Sequence, residues 1–221
     1  MVLPWDKDFL SSKTELSSKT ILYASEGQNV NNVSRSIVKK ILGNIDSKDY
    51  LNLPLEEIAS QNFIFLYPKD KSVIDIDQIR DSFKYLFLKS NSKRLLYLEN
   101  IERIETRTFN TLLKFSEEAD KNMIICMSTN NINIVPKTIL SRFQKLKIPK
   151  PSNEIVKQHL INLGLNFDEQ KNDFVLQNLT LLDEDEDKNI NELFLKFDEY
   201  EAKKEISTKD KEEIRLFLDY Q

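Results

Sequence analysis

Apolar residues along this chain fall into two alternating patterns. One is the short continuous run: residues 20–24 (TILYA), 63–67 (FIFLY), 95–98 (LLYL) and 123–127 (MIICM). Each has the length and the branched or aromatic content of a buried strand. Residues 143–148, apolar at Phe143, Leu146 and Ile148, make a fifth. The other pattern repeats every three or four positions. Val30, Val33, Ile37 and Ile41 mark a helix predicted to stop near Gly43. Ile76, Ile79, Phe83, Leu86 and Phe87 mark a second, capped by Asp75, and Phe109, Leu112 and Leu113 a third, opened by Thr108. Strands alternating with helices predict a parallel sheet covered on both faces.

The pattern changes at Pro149-Lys150-Pro151, a stiff extended joint. After it the spacing predicts helices over 153–163, 168–179, 190–200 and 209–220, the last with Ser207 and Asp210 as a capping box. The chain therefore reads as an α/β domain over residues 1–149 and a small helical domain over 150–221.

Composition narrows the function. A net charge of −4 over 221 residues gives no global pull toward nucleic acid, although a local basic stripe from Lys89, Lys93, Arg94, Arg107 and Lys114 remains open. The single cysteine, Cys126, lies inside an apolar run, which excludes a disulfide framework and a cysteine zinc site. His159 stands alone and is assigned no metal or catalytic role. No signal peptide and no membrane-length run is present, so a soluble cytoplasmic protein is expected. The acidic run 183–187 reads as a solvated loop.

Glycine is scarce, at 3 residues, and that bears on the first strand–turn–helix. A nucleotide site of the P-loop type needs glycines there, a lysine for the β/γ-phosphates and a hydroxyl for magnesium. The corresponding positions hold Ala24, Gly27 and Asn29 for the glycines, Val30 for the lysine and Asn31 for the hydroxyl. Only Gly27 fits. Val30 cannot neutralise phosphate and Glu26 would repel it. The acidic pair that would end the third strand reads Glu99-Asn100, and an asparagine cannot activate water. Thr129 and Asn130, ending the fourth strand, stand where a γ-phosphate sensor would, with a structural hydrogen bond as the plainer role. No cofactor and no metal are expected.

A further segment carries chemistry of another kind. Pro136-Lys137-Thr138-Ile139-Leu140-Ser141-Arg142-Phe143 follows the fourth strand. Three other segments accompany it: residues 74–80 (IDIDQIR), 95–104 (LLYLENIERI) and 110–118 (NTLLKFSEE). Together they resemble the δ′ subunits of bacterial DNA polymerase III clamp loaders, and more distantly the γ/τ subunits. That resemblance implies an AAA+ module, a five-stranded parallel sheet domain followed by a helical lid. It implies a subunit that hydrolyses nothing and offers Arg142 as an arginine finger to ATP held by a neighbour, with Ser141 and Phe143 positioning it. Phe143 stands where the family has cysteine. The implied partners are γ/τ and δ subunits, with primed DNA contacted weakly or indirectly and no membrane. The family's four-cysteine zinc module is missing between Gly43 and Gln61, no Gly-Ser/Arg sensor motif occurs around 178–191, and a collar domain is expected to be absent. The alternatives are a divergent γ/τ-type ATPase, a DNA- or protein-interaction module derived from the family, and, for Arg142 itself, an ordinary surface arginine.

Overall fold

A computed structural model describes residues 3–13, 15–25, 28, 30–68, 73–86, 92–162, 164, 175–176 and 179. Five parallel strands form one sheet: β1 (Lys19–Tyr23), β2 (Phe63–Leu66), β3 (Arg94–Leu98), β4 (Met123–Thr129) and β5 (Gln144–Lys147), in the spatial order β2-β3-β4-β1-β5. This is the five-stranded parallel α/β sheet expected above. The helices among the described residues are α1 (Asp6–Ser12), α2 (Val30–Asp46), α3 (Ile76–Leu86), α4 (Thr106–Glu118), α5 (Lys137–Leu140) and α6 (Asn153–Asn162).

Both faces of the sheet are covered, and the strand sequences show why. Side chains alternate across a strand, so a strand buried on both sides must be apolar throughout. All seven residues of β4 are buried. On one face α1 and α2 close a core of Leu22, Val30, Ile37, Leu42, Leu95, Tyr97 and Cys126. On the other, α3, α4 and α5 close a core of Ile21, Ile79, Phe83, Leu96, Leu112, Ile125, Ile139 and Phe143. Burial pushes the Cys126 thiol up, so the cysteine is a core residue and not a nucleophile. The edge strand β5 is mostly exposed.

Several boundaries differ from expectation for physical reasons. Helix α1 carries too short a pattern to read, yet Phe9 and Leu10 pack on the α2 side of the core and Lys40 Nζ donates to the Leu10 carbonyl at 3.0 Å. Helix α4 opens at Thr106, not Thr108, which lies two residues further in and is buried. Asp75 caps α3 as expected. Its Oδ1 accepts from the Gln78 amide at 3.3 Å, and its own amide donates to Gln78 Oε1 at 3.0 Å, a reciprocal box.

Gly43 does not stop α2. The helix runs to Asp46, and Ser47 takes the left-handed conformation at φ 54°. The Lys48 amide then folds back onto the Gly43 carbonyl at 3.1 Å, the six-to-one bond of a Schellman ending. Glycine is needed at 43 because a Cβ there would sit 2.7 Å from the Lys48 carbonyl oxygen.

Helix α6 follows the Pro149–Pro151 joint as predicted, with Val156 and Leu160 buried. Val175, Leu176 and Leu179 are also buried. The other predicted helices of the second domain, the Ser207 box and the 183–187 run lie outside the described residues. Among the described residues no helix is long and apolar enough to cross a membrane.

Two substitutions test the end of α2 in urea denaturation. Gly43→Ala is expected to lower stability by about 1–3 kcal/mol through overpacking against backbone. Ser47→Gly is expected to raise it by about 0.5 kcal/mol by relieving the left-handed strain.

Candidate functional site

The strands are parallel, so the loops that follow β1, β3 and β4 gather at one end of the sheet. This carboxyl end brings together Ala24, Val30, Asn31, Glu99, Asn100, Thr129 and Asn130, as predicted from their places in the sequence. Gly27 and Asn29 lie outside the described residues.

Side chains at this end bond to one another and to the backbone. Val30, at the lysine position, turns its side chain into the core at 0% exposure, while its amide donates to Asn130 Oδ1 at 3.2 Å. The amino end of a helix suits an anion because its first N–H groups are unpaired. Here the first of them is already spent on an internal side-chain oxygen. Asn31 Nδ2 donates to Asn100 Oδ1 at 3.0 Å, and Ser128 Oγ donates to Asn31 Oδ1 at 3.4 Å. Thr129 Oγ1 bonds the Asn131 backbone on both sides, accepting from its amide at 3.1 Å and donating to its carbonyl at 3.2 Å. Both sensor-position residues thus make structural hydrogen bonds.

Glu99 is the acidic residue that would serve magnesium, and it is 3% exposed. Its carboxylate is held in bidentate fashion by Arg35 of α2, Nε to Oε2 at 2.5 Å and Nη2 to Oε1 at 2.7 Å. Arg35 Nη2 also meets Glu56 Oε1 at 3.0 Å, and its guanidinium lies 5.5 Å from the centre of the Phe65 ring. Burial alone would lower the Arg35 pKa; the hydrogen bond and charge of Glu99, then Glu56, outweigh it and raise it above the ordinary arginine value. A planar fork on a carboxylate is a strong, fixed contact. The cation at this carboxylate is an arginine of the same chain.

Behind the pair lies a buried hydroxyl network. Tyr97 Oη lies 2.7 Å from Ser34 Oγ and 2.9 Å from Ser128 Oγ, and donates to Glu99 Oε2 at 3.4 Å. Burial, then the Glu99 charge, pushes the Tyr97 phenol well above its usual range, so it stays neutral. Asn100 takes the left-handed conformation at φ 54°, which asparagine tolerates better than glutamate. Its identity therefore answers the backbone as well as the chemistry. Buried Gln28 accepts from the Ser25 amide at 3.1 Å and donates to the Pro149 carbonyl at 3.0 Å, tying the turn after β1 to the joint before α6.

Arg35, Gln28, Ser34, Tyr97 and Ser128 were not among the residues singled out from the sequence. Arg35 had a readable signal. It falls four residues after Asn31, hence on the same helical face, in a segment that lacks its lysine.

Arg142 lies elsewhere. Gln144 pairs with Thr20 and Lys147 with Tyr23. Arg142 therefore precedes the amino end of the sheet, about 13 Å of strand away from the turn after β1. Its partner agrees. Glu117 is in the last turn of α4, which returns to the same end before β4 begins, and Arg142 Nε donates to Glu117 Oε1 at 2.7 Å. Arg142 Nη1 donates to the Thr138 carbonyl at 3.1 Å, and Ser141 Oγ to the same carbonyl at 3.0 Å. Phe143 is buried at 4% and anchors the segment in the core, whereas the Arg142 and Glu117 side chains are 43% and 54% exposed. Of the basic stripe considered earlier, Lys93, Arg107 and Lys114 are exposed, Arg107 pairs with Glu105, and Lys89 lies outside the described residues.

Comparison with known proteins adds the family. A family model described as DNA polymerase III, delta subunit, matches residues 11–152. A DNA polymerase III subunit gamma of Buchnera aphidicola subsp. Baizongia pistaciae is 33% identical over 105 residues, covering 45% of this chain and 28% of that protein. An uncharacterized MG007 homolog of Mycoplasma pneumoniae is 37% identical over 62 residues, covering 28% of this chain and 24% of that protein. The matches thus span less than a third of the length of these relatives. A crystal structure of a DNA polymerase III gamma subunit-related protein from Thermotoga maritima superposes with a TM-score of 0.48 at 17% identity, covering 78% of this chain and 57% of that one.

The Arg35–Glu99 pair can be tested by urea denaturation. Arg35→Met is expected to cost about 3 kcal/mol, because it strands a buried carboxylate. The double variant Arg35→Met/Glu99→Leu is expected to recover most of that loss, since apolar replacements of a whole buried pair are tolerated.

Proposed function

This chain belongs to the DNA polymerase III delta-subunit family, and we propose that within it the protein is a non-hydrolysing, δ′-like clamp-loader subunit that acts through Arg142 on ATP bound by a neighbour. The observation that carries this reading is the separation of the two ends of the sheet. At the carboxyl end, where a nucleotide of its own would sit, Arg35 engages the Glu99 carboxylate and Asn130 accepts from the Val30 amide. The half-exposed Arg142 stands before the amino end of β5, away from that site, a position that suits contact with another molecule.

The chemistry follows from the guanidinium. An arginine brought to the γ-phosphate of a neighbour's ATP stabilises charge that develops in the transition state. Burial of Phe143 and the bond of Ser141 to Thr138 fix the direction of the segment. The bond to Glu117 is a half-exposed ion pair, weak enough to be exchanged for phosphate. Partners under this reading are ATP-holding γ/τ subunits and a δ subunit, with DNA engaged by the assembly. The likeness to gamma subunits by itself would also suit a divergent ATPase of that type; the arginine on Glu99 favours the silent reading.

The test is Arg142→Ala in an assembly reconstituted with γ/τ and δ subunits. Hydrolysis at the adjacent site is expected to fall by about 10³-fold, with the melting temperature of the isolated chain unchanged. Arg142→Lys should not restore it, because an ammonium lacks the planar fork. Unchanged hydrolysis in the alanine variant would refute the reading.

A further inference from the structure

We propose that the free edge of β2 pairs with the β2 edge of a second copy of this chain, antiparallel about a two-fold axis at Phe65. The two five-stranded sheets then join into one across the contact. The inference is independent of Arg142, which precedes β5 at the opposite edge of the sheet.

The two edges of this sheet are built differently. A strand edge presents unpaired N–H and C=O groups, and charged side chains are a common guard against its pairing with another chain. β5 carries that guard, with exposed Lys145 and Lys147 in a strand of sequence QKLK. β2 reads FIFL and is followed by Tyr67, with no charged residue over positions 61–68. Ile64, Phe65, Leu66 and Tyr67 are each half-buried. Among the described residues β2 pairs with β3 alone.

The backbone of β2 divides by alternation. The Asn62 and Leu66 carbonyls accept from the Leu95 and Glu99 amides at 2.8 and 2.9 Å. Even-numbered residues therefore face β3, and the backbone groups of Phe63, Phe65 and Tyr67 point away from it. The Phe63 amide turns back to the Ser60 carbonyl at 3.4 Å. That leaves the Phe63 carbonyl, both groups of Phe65 and the Tyr67 amide, none with a hydrogen-bond partner among the described residues. A two-fold axis at Phe65 matches these four groups to themselves. Phe65 exchanges both bonds with its own copy, and each Tyr67 amide meets the other copy's Phe63 carbonyl.

Side chains match in the same register. Phe63, Phe65 and Tyr67 lie on the α2 side, with successive ring centres 6.3 and 4.6 Å apart, and Ile64 and Leu66 lie on the other side. Pairing sets Phe65 against Phe65, Phe63 against Tyr67 and Ile64 against Leu66 of the other copy. Every cross-strand pair is then aromatic or aliphatic, the kind that stabilises a sheet. A second copy fits this edge better than an unrelated segment, because its bonds and its side chains are both self-complementary and no charge on it asks for an opposite one. Pro68 ends the strand, so the contact is short and the dimer weak.

Sedimentation equilibrium and amide hydrogen exchange of the full chain test this. A reversible dimer with a dissociation constant on the order of 10–100 μM is expected, as for a contact below the standard interface size. The Phe65 and Tyr67 amides should exchange more slowly as protein concentration rises. Tyr67→Pro removes an outward N–H that serves no bond within the described chain, and with it two of the four intermolecular bonds. It is expected to raise the dissociation constant about tenfold. Tyr67→Ala, which keeps the N–H, should lie much nearer wild type. Should the proline variant misfold, exchange in the wild-type chain decides: concentration-dependent protection confined to β2 supports the pairing, and protection elsewhere overturns it. A wild-type chain that stays monomeric to millimolar concentration would overturn it as well. So would dimerisation unaffected by Tyr67→Pro, which would place the contact elsewhere, or protection of β2 that appears only on adding a γ/τ or δ subunit, which would give the edge to another protein.

Discussion

Glu99 follows β3 with its side chain 4% exposed, and a buried carboxylate needs a partner to offset its lost hydration. The chain supplies the cation from α2. Much of the carboxyl end of the sheet is arranged around that contact. Arg35 fixes α2 against β3, carries the 55–57 turn through Glu56, and lies over Phe65 of the edge strand β2. Beneath it Tyr97 Oη bonds with Ser34 and Ser128 and donates to Glu99. In a nucleotide-binding relative of this architecture the same carboxylate would serve magnesium, and the phosphates would take the helix amides. Here Arg35 engages the carboxylate and the Asn130 side chain takes the Val30 amide.

The parallel sheet turns this into a division of labour. Every strand points the same way, so one end collects the loops after the strands and the other collects the segments before them. The first end carries the contacts of Arg35 with Glu99 and of the Val30 amide with Asn130. The second carries Arg142, set beside buried Phe143 and bonded to Glu117.

The sheet, its order of elements and the positions at each of its ends were legible because strand and helix periods are strong in this sequence. The four apolar runs are the three inner strands and the edge strand β2, and the two prolines at 149 and 151 fall between β5 and α6. Boundaries set by backbone geometry were not legible. Gly43 reads as a helix stop by type, but its place in a Schellman ending depends on where the returning Lys48 carbonyl comes to lie. Nor was the plug legible. Arg35 and Glu99 are 64 residues apart in sequence, and only the packing of α2 on β3 brings them together. The sequence places a valine at position 30; that an arginine sits on the Glu99 carboxylate is a fact of tertiary structure.

Calorimetric titration of the purified chain with magnesium ATP tests the central claim most directly. With the Val30 amide and the Glu99 carboxylate already satisfied from within, no heat of binding is predicted up to millimolar nucleotide. Binding in the micromolar range, abolished by mutation of Val30 or Asn31, would show that the turn after β1 still holds nucleotide and would contradict the silent site.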